Sequence, residues 1–393
     1  MSVRNGREFL AIPGPTNVPD EVLRAMHRPA IEIYSGALLD VTTACLDGLR
    51  RVFNTEGRTY IYAANGHGAW EAAVSNVFSA GDKVLALESG RFAIGWGEMA
   101  SMMGVEVEIL PGSNRAAVDL AALEARLRED TAGEITAIMV VQIDTASSVV
   151  NDIAAVRRAM DAAGHGALLM VDTIASLGTM PFDMDDWGVD VAVAGSQKGL
   201  MTPPGLSFVA AGEKAVSAHQ TAGLRTRYWD WTEREGKEHY NKYCGTPPEH
   251  MLFGLTKALE MIFEEGLENV FQRHRLLAEA TRRAVAVWSE GQVMSFNITD
   301  PAQRADSVTN VLMSCDPQPL LEYCDEKCGV VVGGGISDLS GKAIRIAHMG
   351  HVNAPMILGA LTVIEVGLIA LGIPHGKGGA QAAVDYLGET VTA

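Results

Sequence analysis

The sequence predicts an α/β protein: a large unit built around one mostly parallel sheet, followed by a smaller C-terminal α/β unit. Three observations lead there. Short apolar runs alternate with helical patterns across residues 60–210. Those runs are apolar enough to be covered on both faces, as parallel strands joined by crossover helices are. The pattern then changes after Glu213, and new strand candidates come only beyond residue 300. With 393 residues, 48% of them hydrophobic, the chain can bury two cores.

Taken in order, residues 1–20 read as an N-terminal arm. YIYA reads as a strand and GAWEAAVSNVF as the helix after it, and KVLALE, RFAIGWGEMASMM, VEVEIL and DLAALEARLRED repeat that alternation. ITAIMVVQ, DIAAVRRAMDAA, ALLMVD, DVAVAGS and GLSFVAA carry it on. The aromatic and charged stretch 228–243 reads as an exposed excursion before helical patterns resume at 251–265. These signals divide the chain into a large domain at 21–258 and a small domain at 259–393. The second holds strand candidates at 307–313, 330–332 and 344–347, an amphipathic helix at 320–328 and one long helical pattern from Ala354.

Composition narrows the partners. Lys and Arg number 31 against 48 Asp and Glu, a net charge of -17, and no basic run carries interleaved aromatics. Nucleic acid and anionic membrane are therefore not expected, and a small anionic ligand needs a local trap of N–H groups and cations. No run of about 20 apolar residues occurs, and the start, MSVRNGREFL, lacks the apolar core of a signal peptide. A cytoplasmic location is expected. Five scattered cysteines, Cys45, Cys244, Cys315, Cys324 and Cys328, predict reduced thiols and not a disulfide framework. Cys324 and Cys328 have no second pair at ligand spacing, so no metal is expected.

Ligands of open α/β sheets gather at the carboxyl ends of the strands, and three places there carry polar chemistry. Asn65-Gly66-His67-Gly68-Ala69-Trp70-Glu71 is a glycine-bearing turn from a strand into a helix, where free N–H groups and the helix dipole attract a phosphate. Glu71 stands where a dinucleotide fingerprint would have its third glycine, against a nicotinamide site. Asp172 ends the apolar strand ALLMV, and a carboxylate there needs a partner. Gly195-Ser196-Gln197-Lys198-Gly199 ends DVAVA and puts an amine among small neighbours. Desolvation should lower its pKa and favour the neutral nucleophile. Singly, each place also admits a plain role: a helix-entry turn, a cap at a strand end, a snorkelling surface lysine.

Together, a lysine, an aspartate and an anion-binding turn meet the needs of pyridoxal 5′-phosphate: an imine, a partner for the ring nitrogen and a phosphate site. Here the sequence resembles the class V aminotransferases of fold type I, and within them the serine–, alanine– and aspartate–glyoxylate aminotransferases. The resemblance runs from Ile12-Pro13-Gly14-Pro15-Thr16-Asn17-Val18-Pro19, through SQKGLMTPPGL, to Gly341-Lys342-Ala343-Ile344-Arg345-Ile346-Ala347-His348-Met349-Gly350. It implies a seven-stranded, mostly parallel sheet in the large domain and a homodimer with shared active sites.

By position, Lys198 matches the lysine that forms the Schiff base, Asp172 the partner of the pyridine nitrogen, and Gln197 a phosphate ligand. Gly66, His67 and Gly68 match the phosphate turn, with Asn65 in place of the family's serine or threonine and one phosphate contact weakened. Phe92 falls where the family sets an aromatic ring against the cofactor. Thr145 matches the hydroxyl that bonds the phenolic oxygen, with Gln142 replacing the usual histidine. Tyr243 and Thr246 match residues that reach the phosphate of the neighbouring subunit. Arg345 matches the arginine that grips the substrate carboxylate, for which a planar guanidinium is suited. The segment Glu32-Ile33-Tyr34-Ser35-Gly36 departs from the family's histidine–arginine–serine run, and Tyr34 is expected to reshape the substrate pocket.

The resemblance implies transfer of an amino group from serine, alanine or aspartate to glyoxylate or pyruvate. Three rivals share the cofactor. A class V lyase of the desulfurase or kynureninase kind would eliminate a side-chain group, and a desulfurase needs a cysteine on a free loop, which this chain does not obviously supply. A sensor would bind without turnover. A pyridoxamine-using aminotransferase would not need the retained phosphate turn and Gln197.

Overall fold

The computed structural model describes residues 2–391. A seven-stranded sheet occupies the first half of the chain, in the order Arg58–Tyr62, Ser207–Ala211, Val191–Gly195, Leu168–Asp172, Ile135–Val141, Lys83–Leu87, Glu106–Leu110. The last five pair in parallel, while Ser207–Ala211 runs antiparallel to both of its neighbours. Successive side chains point to opposite faces of each strand, and both faces are buried. Leu85, Ile138, Leu169 and Ala192 join one core layer, and Val84, Met139, Met170 and Val193 join the other. Helices Ala37–Phe53, Leu120–Glu129 and Ile153–Ala163 bring residues to the first layer, and Gly66–Val77 and Arg91–Met102 to the second. This double covering explains why the strands read as unbroken apolar runs.

A second sheet has the order Phe9–Ala11, Val330–Gly334, Ala343–Ala347, Val308–Met313, Met294–Phe296. Its first strand comes from the N-terminal segment and pairs in parallel with Val330–Gly334. Helices Leu267–Trp288, Gln318–Cys328, Ala354–Ala370 and Gly379–Thr390 supply its core, with Trp288 and Ile364 fully buried.

Two expectations need correction. The stretch 228–243 is only in part an exposed excursion. Trp231 and Arg234 are buried, and Trp231 stacks on Tyr60 with centroids 5.2 Å apart and planes 3° from parallel. Strand Arg58–Tyr62 is the edge of the large sheet, and these aromatic rings cover its outer residues. The long helical pattern from Ala354 is two helices, because Gly372, Pro374, Gly376 and Gly378 interrupt it, and Gly372 and Gly378 have positive φ. Among the described residues no helix is long and apolar enough to cross a membrane, and no cluster of His, Cys, Asp and Glu is placed to hold a metal ion.

Candidate active site

Strands Leu168–Asp172 and Val191–Gly195 lie side by side, so their carboxyl ends bring Asp172 and the turn after Gly195 to one place. That turn is pinned by its own polar groups. Ser196 Oγ donates to Pro203 O at 2.7 Å, and Thr202 Oγ1 donates to Ser196 O at 2.9 Å. Gly199 passes so close to Leu177 that a Cβ would sit 2.2 Å from its carbonyl oxygen. Lys198 is thereby held at the strand end, and its Nζ donates to the carbonyl oxygen of Pro13. The same N-terminal segment is tied down by Thr16, whose Oγ1 donates to Lys198 O at 3.1 Å. A side chain at Gly14 would meet Lys198 Cε and Nζ at 2.7 Å, so the segment approaches the amine as only glycine allows.

Lys198 and Asp172 line a cavity of about 230 Å³ together with Asn65, Gly66, His67, Trp70, Phe92, Thr145 and Gln197. A larger cavity, about 570 Å³, lies between residues 7–21 and helix Ala354–Ala370, but it contains neither Lys198 nor Asp172. Chemistry, not size, selects the first. Asp172 is buried; its Oδ2 accepts from Trp70 Nε1 at 2.8 Å and its Oδ1 from the N–H of Ile174 at 2.7 Å. Burial pushes this carboxyl up to about 7, against those two donors, with the nearby Asp144 adding to the rise and Lys198 opposing it. Burial likewise brings Lys198 down to about 8, helped by the Arg345 guanidinium and opposed by Asp172. A lysine with a lowered pKa and a buried carboxyl with a raised one thus face one space.

The phosphate turn has a local cause. Asn65 caps helix Gly66–Val77, its Oδ1 accepting from the N–H groups of His67 at 3.1 Å and Gly68 at 3.3 Å. Gly68 is packed toward Ala64 and Trp229 and does not line the cavity, whereas Gly66 and His67 do. A Cβ on Gly66 would strike Ile174 at 2.5 Å, and one on Gly195 would stand 3.3 Å from Gln197 Oε1 and 4.0 Å from the Gly66 nitrogen. Gln197 Oε1 is buried without a hydrogen-bond partner. Amide oxygen and nitrogen are alike in shape, so turning this amide over presents a donor to the same cradle.

On the other side, Phe92 packs edge-on against Trp70, centroids 6.4 Å apart, and Trp70 stacks on Trp96. Thr145 lies in the hairpin of strands Ile143–Asp144 and Val149–Val150. Arg345 comes from the second sheet, where it faces Gly333 in register. Its Nε donates to Gly334 O at 2.7 Å and its Nη1 to Thr145 O at 3.2 Å, placing it at the cavity's edge.

Three expected residues lie elsewhere on the chain. Tyr34 is 66% exposed and meets Tyr240 edge-on at 6.1 Å. Tyr243 is buried, its hydroxyl 2.8 Å from Thr42 Oγ1, beside a separate cavity with Arg50, Arg58, Arg234 and Lys242. Thr246 is exposed. None of the three lines the Lys198 cavity. Conversely, sequence reasoning assigned no role to Pro13, Trp70 or Asp144. A glycine beside Pro13 and a tryptophan in the phosphate turn are visible, but nothing in the sequence tells that the first meets Lys198 and the second Asp172.

A model of the class-V aminotransferase family matches residues 9–340. The chain is 40% identical to the serine–glyoxylate aminotransferase of Methylorubrum extorquens over 98% of this chain and 97% of that protein. It is 36% identical to the L-aspartate–glyoxylate aminotransferase of Paracoccus denitrificans, covering 97% and 96%. The crystal structure of pyridoxamine–pyruvate aminotransferase from Mesorhizobium loti superposes with a TM-score of 0.89 at 26% identity, covering 99% of this chain and all of that one. The fold is that of the fold type I pyridoxal-phosphate enzymes. Within that class, the chain belongs to the class-V aminotransferase family, and it is a pyridoxal-phosphate-dependent transaminase.

Proposed function

We propose that the protein moves the amino group of serine, alanine or aspartate to glyoxylate or pyruvate, with Lys198 as the lysine that engages the cofactor. One observation carries the assignment: a lysine whose pKa is brought down to about 8 and a buried aspartate share a small cavity with Gly66 and His67 at a helix N-terminus. The cradle and the orphaned Gln197 amide suit a phosphate, and Asp172 suits a protonated ring nitrogen.

When bound, pyridoxal phosphate supplies a reactive aldehyde carbon and a ring that accepts electrons. The chain supplies the rest. Lys198 Nζ, neutral for part of the time near neutral pH, serves as nucleophile and then carries the α-proton of the amino acid away and back. Asp172, oriented by Trp70 and Ile174, holds a proton on the ring nitrogen. Phe92 walls one side, Thr145 offers a hydroxyl, and Arg345 grips the substrate carboxylate. A cysteine-dependent lyase is disfavoured, because no cysteine lines this cavity.

Names of the relatives support glyoxylate as acceptor in two of three cases and pyruvate in the third. That Tyr34 and Thr246 are exposed and that neither they nor Tyr243 line the Lys198 cavity supports a homodimer in which Tyr243 and Thr246 complete the partner's phosphate site and Tyr34 shapes its substrate pocket. The two sheets support a large and a small domain that meet within helix Glu249–Glu265, which contains the 258/259 boundary, with 1–20 as an arm. The test is the visible absorbance spectrum of the protein with pyridoxal phosphate, then single additions of serine, alanine, aspartate and glyoxylate. A yellow band that one donor bleaches and glyoxylate restores is expected; absence of any band sinks the assignment of Lys198.

A further inference from the structure

Asp144 has no solvent exposure and makes no salt bridge among the described residues, although the Arg345 guanidinium feels its charge. Both oxygens are instead used on backbone N–H groups. Oδ2 accepts from Phe92 N at 2.8 Å and Ala93 N at 3.2 Å, and Oδ1 accepts from Ala146 N at 2.9 Å. Phe92 and Ala93 open helix Arg91–Met102, whose own N-cap, Gly90, has no side chain to cap it. The carboxylate of a different strand therefore caps this helix, where N–H groups and the helix dipole both favour a negative charge. The approach is close: a Cβ on Gly90 would lie 2.4 Å from the Asp144 carboxyl carbon.

The hairpin that carries Asp144 also faces the second sheet. Asn310 Nδ2 donates to Ala146 O at 2.6 Å, Asn297 Nδ2 to Ser147 O at 2.9 Å, and Arg345 Nη1 to Thr145 O at 3.2 Å. One short segment thus bonds the large-sheet helix that bears Phe92 on one side and the strand that bears Arg345 on the other. Thr145 lies between them.

We propose that Asp144 is a positioning residue that fixes Phe92, Thr145 and Arg345 relative to one another, so that cofactor face and carboxylate grip move as one unit. This rests on the reading of the Lys198 cavity as the cofactor site. Asp144→Asn keeps the shape but cannot accept at all three N–H groups, since one of its two atoms is a donor. Lys198 and Asp172 keep their own partners, Pro13, Trp70 and Ile174, and loss of the Asp144 charge only favours the ionised form of Asp172.

The experiment titrates the apoprotein of wild type, Asp144→Asn and Gly90→Ala with pyridoxal phosphate, and records the visible circular dichroism of the bound cofactor. KM and kcat then follow with L-serine and glyoxylate. Asp144→Asn should weaken cofactor binding and raise the KM for glyoxylate, each on the order of tenfold, with a smaller fall in kcat and an altered dichroic band. Gly90→Ala pushes the same carboxylate from the opposite side and should shift the same readouts in the same direction, which keeps the test open if Asp144→Asn does not fold. Wild-type binding, dichroism and KM in either folded variant, with only stability lowered, would overturn the proposal. A wild-type apoprotein that forms no band overturns the reading of the cavity instead.

Discussion

At the scale of single residues, burial decides the chemistry. Lys198 is ordinary by type, but its strand-end position desolvates the ammonium and brings its pKa from 10.5 to about 8. Between those values the unfolded chain binds more protons than the folded one, so this residue's contribution to stability rises with pH across that window and is at its worst below it. Lys198→Met should therefore stabilise the apoprotein at pH 7 by about 3 kcal/mol, and by much less at pH 10. Urea denaturation at the two values reads the difference; equal effects would show that Lys198 is not a desolvated cation. The residue was legible because lysine after an apolar run and a glycine-flanked turn is chemically conspicuous. Asp144 was not, since a carboxylate before Thr145 looks the same in sequence whether it faces water or caps a distant helix.

At the scale of elements, periodicity served the strands well and the surface poorly. Apolar runs marked the strands of the large sheet because both of its faces are covered. Residues 228–243 misled because aromatic and charged residues together resemble a solvated loop, and only the edge strand that they cover gives Trp231 its burial. The turn into helix Gly66–Val77 was legible from its glycines, while the capping use of Asn65 needed coordinates. Removing that cap in Asn65→Ala should cost about 1 kcal/mol of apoprotein stability, and Asn65→Ser should cost much less, because a hydroxyl still caps. Chemical denaturation of the two variants checks this. Equal losses would mean that the asparagine acts through something other than its acceptor.

At the scale of the whole molecule, the cavity with Lys198, Asp172 and Gln197 includes none of Tyr34, Tyr243 and Thr246. The symmetric dimer proposed above would reconcile the two sets, each chain lending Thr246 and its neighbours to the other's cavity. Lys198→Ala and Thr246→Ala chains should each be impaired alone. When they are refolded together in equal amounts, half of the dimers are mixed, and each mixed dimer has one complete site. About a quarter of wild-type activity should return. No recovery on mixing, with dimers present by sedimentation, would confine each site to one chain.

Residue type and spacing alone determined the α/β class, the seven strands of the large sheet in their order along the chain, and the strand-end positions of Lys198 and Asp172. Such information is local: an apolar period, a glycine turn and a polar residue at a strand end are all read within a few positions. Which strands lie side by side, which carboxylate caps which helix and which aromatic residues are buried depend on residues far apart in sequence. Asp144 and Phe92 stand 52 positions apart, and Arg345 and Thr145 stand 200 apart. Only the folded chain brings these groups together, because packing, not local preference, fixes long-range contacts.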